Sequence, residues 1–255
     1  MIRQIYEGEY NIVDRFLLKD IARNYFLLLG LRKGGVYKAI YGEFEDDGLK
    51  AALLLRKSGV LQFYAREEFN LQGFVEIIRG LDYKSLIGPK SFCHGFLNKG
   101  VFSNFIQGAY LSKLDKQSKI IYKEDGYKIR HISINDLENI VELYKNNFES
   151  FAPLKVMEEK LILKRGRGVC IEINGQIVSV AQTDFETGSA AVIVGVATDK
   201  RYERQGLATR LMEYLCQELQ EEGKDIYLQY DNLNAESLYS SLGFQKIDRI
   251  VHYFK

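Results

Sequence analysis

At 255 residues the chain is long for one ordinary domain and suits two of about 125 residues each. Hydrophobic residues make up 46% and charged residues 27%, with only two prolines, which excludes a disordered, collagen-like or low-complexity chain. The 35 basic residues nearly cancel the 34 acidic ones, so the net charge of +1 gives no field for a polyanion, and neither a nucleic acid nor an anionic membrane is an expected partner.

The chain opens MIRQIYEGEY, without the charged-then-apolar order of a secretory leader. The nearby apolar run YFLLLGL is far short of the ~20 residues that span a bilayer. A soluble, cytoplasmic protein is the expectation. Cys93, Cys170 and Cys216 are odd in number and widely spaced, which suits reduced core thiols. With no CxxC or HxxxH spacing among them and the three histidines, no metal site is expected.

Apolar periodicity places a helix over about 12–28, then strands at 37–44, 49–56 and 60–64 joined by turns at Asp46-Asp47-Gly48 and Ser58-Gly59. A helix near 71–79, a strand around Leu86 and Ile87, a short helix near 92–97 and a strand over 105–111 follow. The polar, Lys-rich stretch KLDKQSKIIYKEDGYKIR then suggests a boundary near Asp125, dividing the chain into 1–125 and 126–255.

In the second half, Ser133 and Asp136 form a helix-start pattern, and Leu137, Ile140, Val141 and Tyr144 recur at helical spacing. A second helix is expected over 155–163. Asn174-Gly175 separates strands at 169–173 and 177–183 as a tight hairpin turn, because both residues accept positive φ. The almost wholly apolar strand 190–197 is expected to be covered on both faces. Leu207, Leu211, Leu215 and Leu219 mark the next helix, which Gly223 stops. A strand at 225–230, a short helix at 235–241 and a last strand through 247–254 complete the order ααβββαβαβ. The first half has a similar order, which suggests an internal structural duplication.

Between strand 190–197 and its following helix lies YERQGLATRL. A strand that enters a helix through a glycine-containing turn exposes main-chain N–H groups with no intrahelical partner. Those donors, with the helix dipole, suit a phosphate or pyrophosphate. Gly206 lets a ligand approach the backbone, Ala208 keeps the next contact small, and Thr209 offers a hydroxyl. An isolated glycine in such a place more often just eases a turn, and neither GxGxxG nor GK[ST] is present. The later segment DNLNAESLYSSLGF carries Asn232, Ala235, Leu238, Tyr239, Gly243 and Phe244 around the short helix.

Together, GVATDKRYERQGLATRL and DNLNAESLYSSLGF resemble the two signature segments of the GNAT superfamily of acetyl-CoA-dependent N-acetyltransferases, in order and spacing. The resemblance covers about residues 127–255. It implies an α/β (α+β) protein of two GNAT-like domains, each a mixed, mostly antiparallel twisted sheet flanked by helices. The first would be a degenerate copy, since AREEFN stands where the pyrophosphate loop belongs and brings two carboxylates and no glycine.

By resemblance, main-chain groups of Val196 and Thr198 pair with the pantetheine arm of acetyl-CoA, and the Arg204, Gln205, Gly206, Leu207, Ala208 and Thr209 loop takes the pyrophosphate. Asn232 would bond the pantetheine region, or simply start the short helix as an Asx turn. Tyr239 would give its proton to the departing thiolate, a phenol near pKa ~10 being matched to a thiol near ~8.5. Glu203 departs from the pattern, which has Gln or Arg there, and is expected to point to solvent or pair with Arg201 or Lys200.

The central strand lacks the glutamate many relatives use as base, leaving Glu172, Asp184, Glu186, Asp231 or a water route. The implied activity is acetyl transfer by direct attack of a primary amine on a small molecule or peptide. A non-catalytic acyl-CoA-binding regulatory protein is the alternative that Glu203 and the missing glutamate suggest. Neither the acceptor nor the oligomeric state is legible.

Overall fold

The computed structural model describes residues 1–46, 48–124 and 126–255. Asp47 of the expected Asp46-Asp47-Gly48 turn, and Asp125 at the expected boundary, lie outside the described residues. The chain forms two compact units, Met1–Leu111 with Lys246–Lys255, and Ser112–Gln245.

The first unit contains strand β1 (Ile2–Ile5), helices α1 (Tyr10–Leu17) and α2 (Ile21–Lys33), and strands β2 (Tyr37–Glu45), β3 (Gly48–Arg56) and β4 (Val60–Ala65). Helix α3 (Leu71–Arg79), strand β5 (Ser85–Pro89), helix α4 (Lys90–Cys93) and most of strand β6 (Asn104–Leu114) follow. The single expected helix over 12–28 is broken because Asp20 caps a new one, its carboxylate accepting the Arg23 N–H at 3.3 Å. Strand β1, which pairs antiparallel with β2 from Ile2↔Glu43 to Ile5↔Ile40, was not expected.

In the second unit, β7 (Ile129–His131) precedes α5 (Leu137–Lys145), α6 (Leu154–Ile162), β8 (Gly168–Ile173), β9 (Gln176–Glu186) and β10 (Ala190–Thr198). Helix α7 (Leu207–Glu221), strand β11 (Asp225–Tyr230) and helix α8 (Glu236–Ser241) come next. The last strand, β12 (Phe244–Phe254), begins at the end of this unit and continues into the first.

Both units follow one plan. Within the first, the strand order is β1-β2-β3-β4-β5-β12-β6, and within the second β11-β10-β9-β8-β7. The meander pairs are antiparallel, while β4–β5 and β10–β11 are parallel. Each parallel pair is joined through one helix, α3 or α7, as the crossover of a parallel pair requires. Each unit is therefore a mixed, mostly antiparallel sheet with flanking helices. Asn174 and Gly175 have φ of 51° and 78°, the positive values the tight hairpin turn needs.

Two further features differ from the sequence expectation. The last strand was read as closing the second half, yet Ile250–Phe254 pairs with β5 from Pro89 to Ser85. Val251 and Tyr253 are buried there with Leu53, Phe63, Phe74 and Phe96. An alternating pattern identifies a strand but does not name its neighbour. Part of the Lys-rich stretch also lies along α7 instead of standing free. Gln217 and Gln220, three apart on that helix, accept the Tyr122 and Ile120 N–H groups at 2.7 and 3.1 Å, and Gln220 donates to the Ser118 carbonyl.

All three cysteines are free and buried. Among the described residues no helix is long and apolar enough to cross a membrane, and no cluster of three or more His, Cys, Asp or Glu is placed to hold a metal.

Because Val251 is fully buried in the first unit's core, Val251→Ala should cost that unit about 2 kcal/mol. Hydrogen exchange should show lost protection in peptides covering Leu53 to Phe63, while α5 keeps its protection.

Candidate active site

The site begins where two strands part. Parallel pairing of β10 with β11 runs from Ala190↔Asp225 to Ile193↔Leu228 and stops, although β10 continues to Thr198 and β11 to Tyr230. On its other edge β10 shifts register against β9 twice, between Val192 and Ile193 and between Val194 and Ala197. Gly195 lies in the second irregularity at φ 57°, a left-handed value that bends the strand. The β11-facing edge of Val194–Thr198 thus has no strand partner among the described residues. A cavity of about 120 Å³ opens there, lined by Phe148, Gly195, Val196, Asp231, Asn232 and Tyr239, among others.

Beyond Thr198, Asp199 accepts the Arg201 N–H at 2.9 Å and its guanidinium at 2.7 Å, which shapes a tight turn over Lys200–Tyr202. Arg204 then takes φ 58°, a left-handed conformation costing roughly 1 kcal/mol or more for a residue with a side chain. Gly206, at φ 78°, caps α7 without any side-chain hydrogen bond. Since the first helical bond runs from Arg210 N–H to Gly206 carbonyl at 3.1 Å, the N–H groups of Leu207, Ala208 and Thr209 have no intrahelical acceptor.

They open on a cavity of about 530 Å³ lined by Thr198, Glu203, Arg204, Gly206, Leu207, Ala208, Thr209 and Leu238, among others. Uncapped donors at the positive end of a helix of 15 residues attract an anion.

The structure therefore gathers Thr198, Arg204, Gly206, Leu207, Ala208 and Thr209 at one cavity, and Val196, Asn232 and Tyr239 at the other. Gln205 lines neither. Its carbonyl is held by the Arg210 guanidinium at 2.9 Å, and Arg210 also lies over the Tyr127 ring. Sequence reasoning missed Arg210, whose signal is an arginine one helical turn past the loop glycine. Glu203 is exposed at the rim, and its expected partner Arg201 is engaged by Asp199 instead.

Asn232 makes the Asx turn, its side chain accepting the Asn234 N–H at 2.9 Å. Tyr239 is buried against the Tyr230 ring, with centroids 5.2 Å apart. Burial, helped by Tyr230, pushes its phenol up to about 12.

Of the four carboxylates considered as bases, Glu172 is paired with Arg130 at 2.7 Å. Glu186 sits opposite Ala191, at the other end of β10 from the opening. Burial there opposes its charge, but bonds from Arg167, Lys224 and Thr183 hold its carboxyl below the ordinary value. Asp184, at the first register shift of β9, is raised by burial, with Lys160 acting against that. Asp231 alone of the four lines the small cavity with Tyr239.

The corresponding helix start in the first unit is closed. Asn70 caps α3 with its own side chain, which accepts the Gly73 N–H at 2.9 Å, and gives its N–H to Glu43 at 2.9 Å. Phe69, in the AREEFN segment, packs on Phe63 and Phe96 with ring centroids 4.8 and 6.1 Å away. The two carboxylates of AREEFN, Glu67 and Glu68, thus stand beside a helix start that is already capped.

Residues 134–244 match the acetyltransferase (GNAT) family. No curated protein matches the chain. Among solved structures, an acetyltransferase of the GNAT family from Colwellia psychrerythraea is similar over the whole of both chains, with TM-score 0.71 and 14% identity. A GCN5-related N-acetyltransferase from Sphaerobacter thermophilus gives TM-score 0.67 at 14% identity, over 100% of this chain and 95% of that one. A tandem GNAT protein from the clavulanic acid biosynthesis pathway gives 0.63 at 13% identity, over 100% and 98%. At such identities the likeness is one of fold.

Gly206→Ala should destabilise the protein by about 1 kcal/mol, because its left-handed φ disfavours a Cβ. Denaturant unfolding checks this, and an unchanged midpoint would contradict the strained turn.

Proposed function

Residues 134–244 are an acetyltransferase domain of the GNAT family, and from that premise we propose that the protein transfers an acetyl group from acetyl-CoA to a primary amine of a small molecule or peptide. The observation that carries this reading is the pairing of an uncapped helix start with an unpartnered strand edge that begins one loop away. The first suits a pyrophosphate, and the second suits an extended chain of amides such as pantetheine. Acetyl-CoA bound there supplies an acyl thioester open to attack by an amine.

The chain's own groups then have distinct tasks. Main-chain N–H donors of Gly206–Thr209 hold the pyrophosphate, and Arg204, which has no ion-pair partner among the described residues, adds positive charge beside them. Val196 and Thr198 offer backbone groups to the pantetheine arm, and Asn232 keeps its amide nitrogen available while its oxygen holds the Asx turn. Tyr239 gives a proton to the departing thiolate. Asp231, directly or through water, takes the proton that the acceptor's ammonium must lose before its nitrogen can attack.

Burial keeps Tyr239 in its acid form: with its pKa raised from 10.0 to about 12, the folded phenol stays protonated as pH climbs through 10. Its contribution to stability is present below the unfolded value of 10.0 and is lost as pH rises through about 12.

Calorimetry should show acetyl-CoA binding, and thiol release with an amine panel should show turnover. Tyr239→Phe should lower kcat on the order of 100-fold with little change in acetyl-CoA affinity. Binding without turnover in either protein would favour a regulatory acyl-CoA-binding role, and absence of binding would end both readings. Glu203→Gln should leave acetyl-CoA affinity equal or better, since the donors are main chain; a large loss would mean the loop does not hold the pyrophosphate.

A further inference from the structure

The second unit buries a lysine behind the strand opening. Lys160, on α6, is only 7% exposed, and its stem passes Gly166, where an added Cβ would lie 3.0 Å from Lys160 Cδ. Its ammonium donates to Gln182 Oε1 at 2.8 Å. Gln182 Nε2 donates to Tyr144 Oη at 2.7 Å, and Tyr144 Oη donates to the Gly195 carbonyl at 2.7 Å. Gln182 and Tyr144 are buried as well.

The direction of this chain is forced by chemistry. An ammonium has donors only, so it selects the oxygen of the Gln182 amide and turns the NH₂ toward Tyr144. A hydroxyl that accepts from Gln182 has a single proton left to place, and Gly195 is where it goes. The receiving end is equally specific. Gly195 is in the second register shift of β10, and a Cβ there would collide with the Tyr144 hydroxyl.

We propose that Lys160, acting through Gln182 and Tyr144, is a positioning residue that holds the Gly195 carbonyl out of strand pairing and so keeps the Val194–Thr198 edge open for acetyl-CoA. The role in acetyl-CoA binding rests on the acetyltransfer reading; the effect on the strand does not. Packing alone would make any loss of binding follow a loss of stability. A directional relay separates the two.

The separating variant is Gln182→Glu. A carboxylate at that position accepts from Lys160 and from Tyr144 together, so the fold keeps its buried partner for the lysine while the tyrosine proton leaves Gly195. Three readouts on the full chain decide: melting temperature, acetyl-CoA KM against kcat, and hydrogen exchange at the Ala197 amide, whose residue pairs with Val180 beside the bulge.

Gln182→Glu should melt no lower than the native protein, exchange faster at Ala197, and raise acetyl-CoA KM roughly fivefold, the worth of about one net hydrogen bond, with kcat changed less than about twofold. Unchanged KM and unchanged exchange would overturn the proposal, as would a KM that rises only as far as stability falls. Should Gln182→Glu unfold, Tyr144→Phe carries the same readouts with the same expected directions for KM and exchange. If the native chain binds no acetyl-CoA, the acetyltransfer reading fails by itself, and exchange at Ala197 still decides whether the relay holds the strand.

Discussion

What the second unit offers a ligand depends on β10 leaving its parallel partner after Ile193. A strand that stayed paired to its end would spend its amide groups on β11. Because the register against β9 slips on either side of Gly195, the far end of β10 turns away and its outer edge stays unpaired. The same departure delivers the chain to the Arg204–Gly206 turn and hence fixes where α7 begins. One local irregularity thus creates both the strand edge and the uncapped helix start. Tyr144, bonded to the Gly195 carbonyl and packed against Phe148 and Phe151, ties that irregularity to the helices above the sheet.

The two units show how little separates an open helix start from a capped one. Both place a helix between the two strands of a parallel pair. In the second, glycine caps the helix and leaves its donors open; in the first, Asn70 occupies one of them and Phe69 packs beside it. Main-chain donors also explain why an acid at the rim need not disable the site. The field of Glu203 is screened by water at an exposed position, whereas the helix donors point at the cavity at fixed geometry.

Much of this was legible in the residues. YERQGLATRL and DNLNAESLYSSLGF announced the loop and the tyrosine, and helical spacing of Leu207, Leu211, Leu215 and Leu219 matched α7, where all four are buried. Short strands escaped: Ile2–Ile5 and Ile129–His131 are too brief to show a period. The partner of the last strand escaped because pairing is a tertiary fact. Lys160 escaped for a different reason, since a lysine between Glu159 and Leu161 reads as a solvated helix position, and only the fold shows it buried. Gly195 did carry a signal. A glycine inside an apolar strand marks a bulge or a close approach, and here it marks both.

The most direct test follows the backbone amides of the native protein by nuclear magnetic resonance as acetyl-CoA is added. The largest shifts should fall at Val196, Thr198 and Gly206 through Thr209, with the α3 start around Asn70 to Gly73 unmoved. Shifts centred on the first unit, or none at the start of α7, would contradict it.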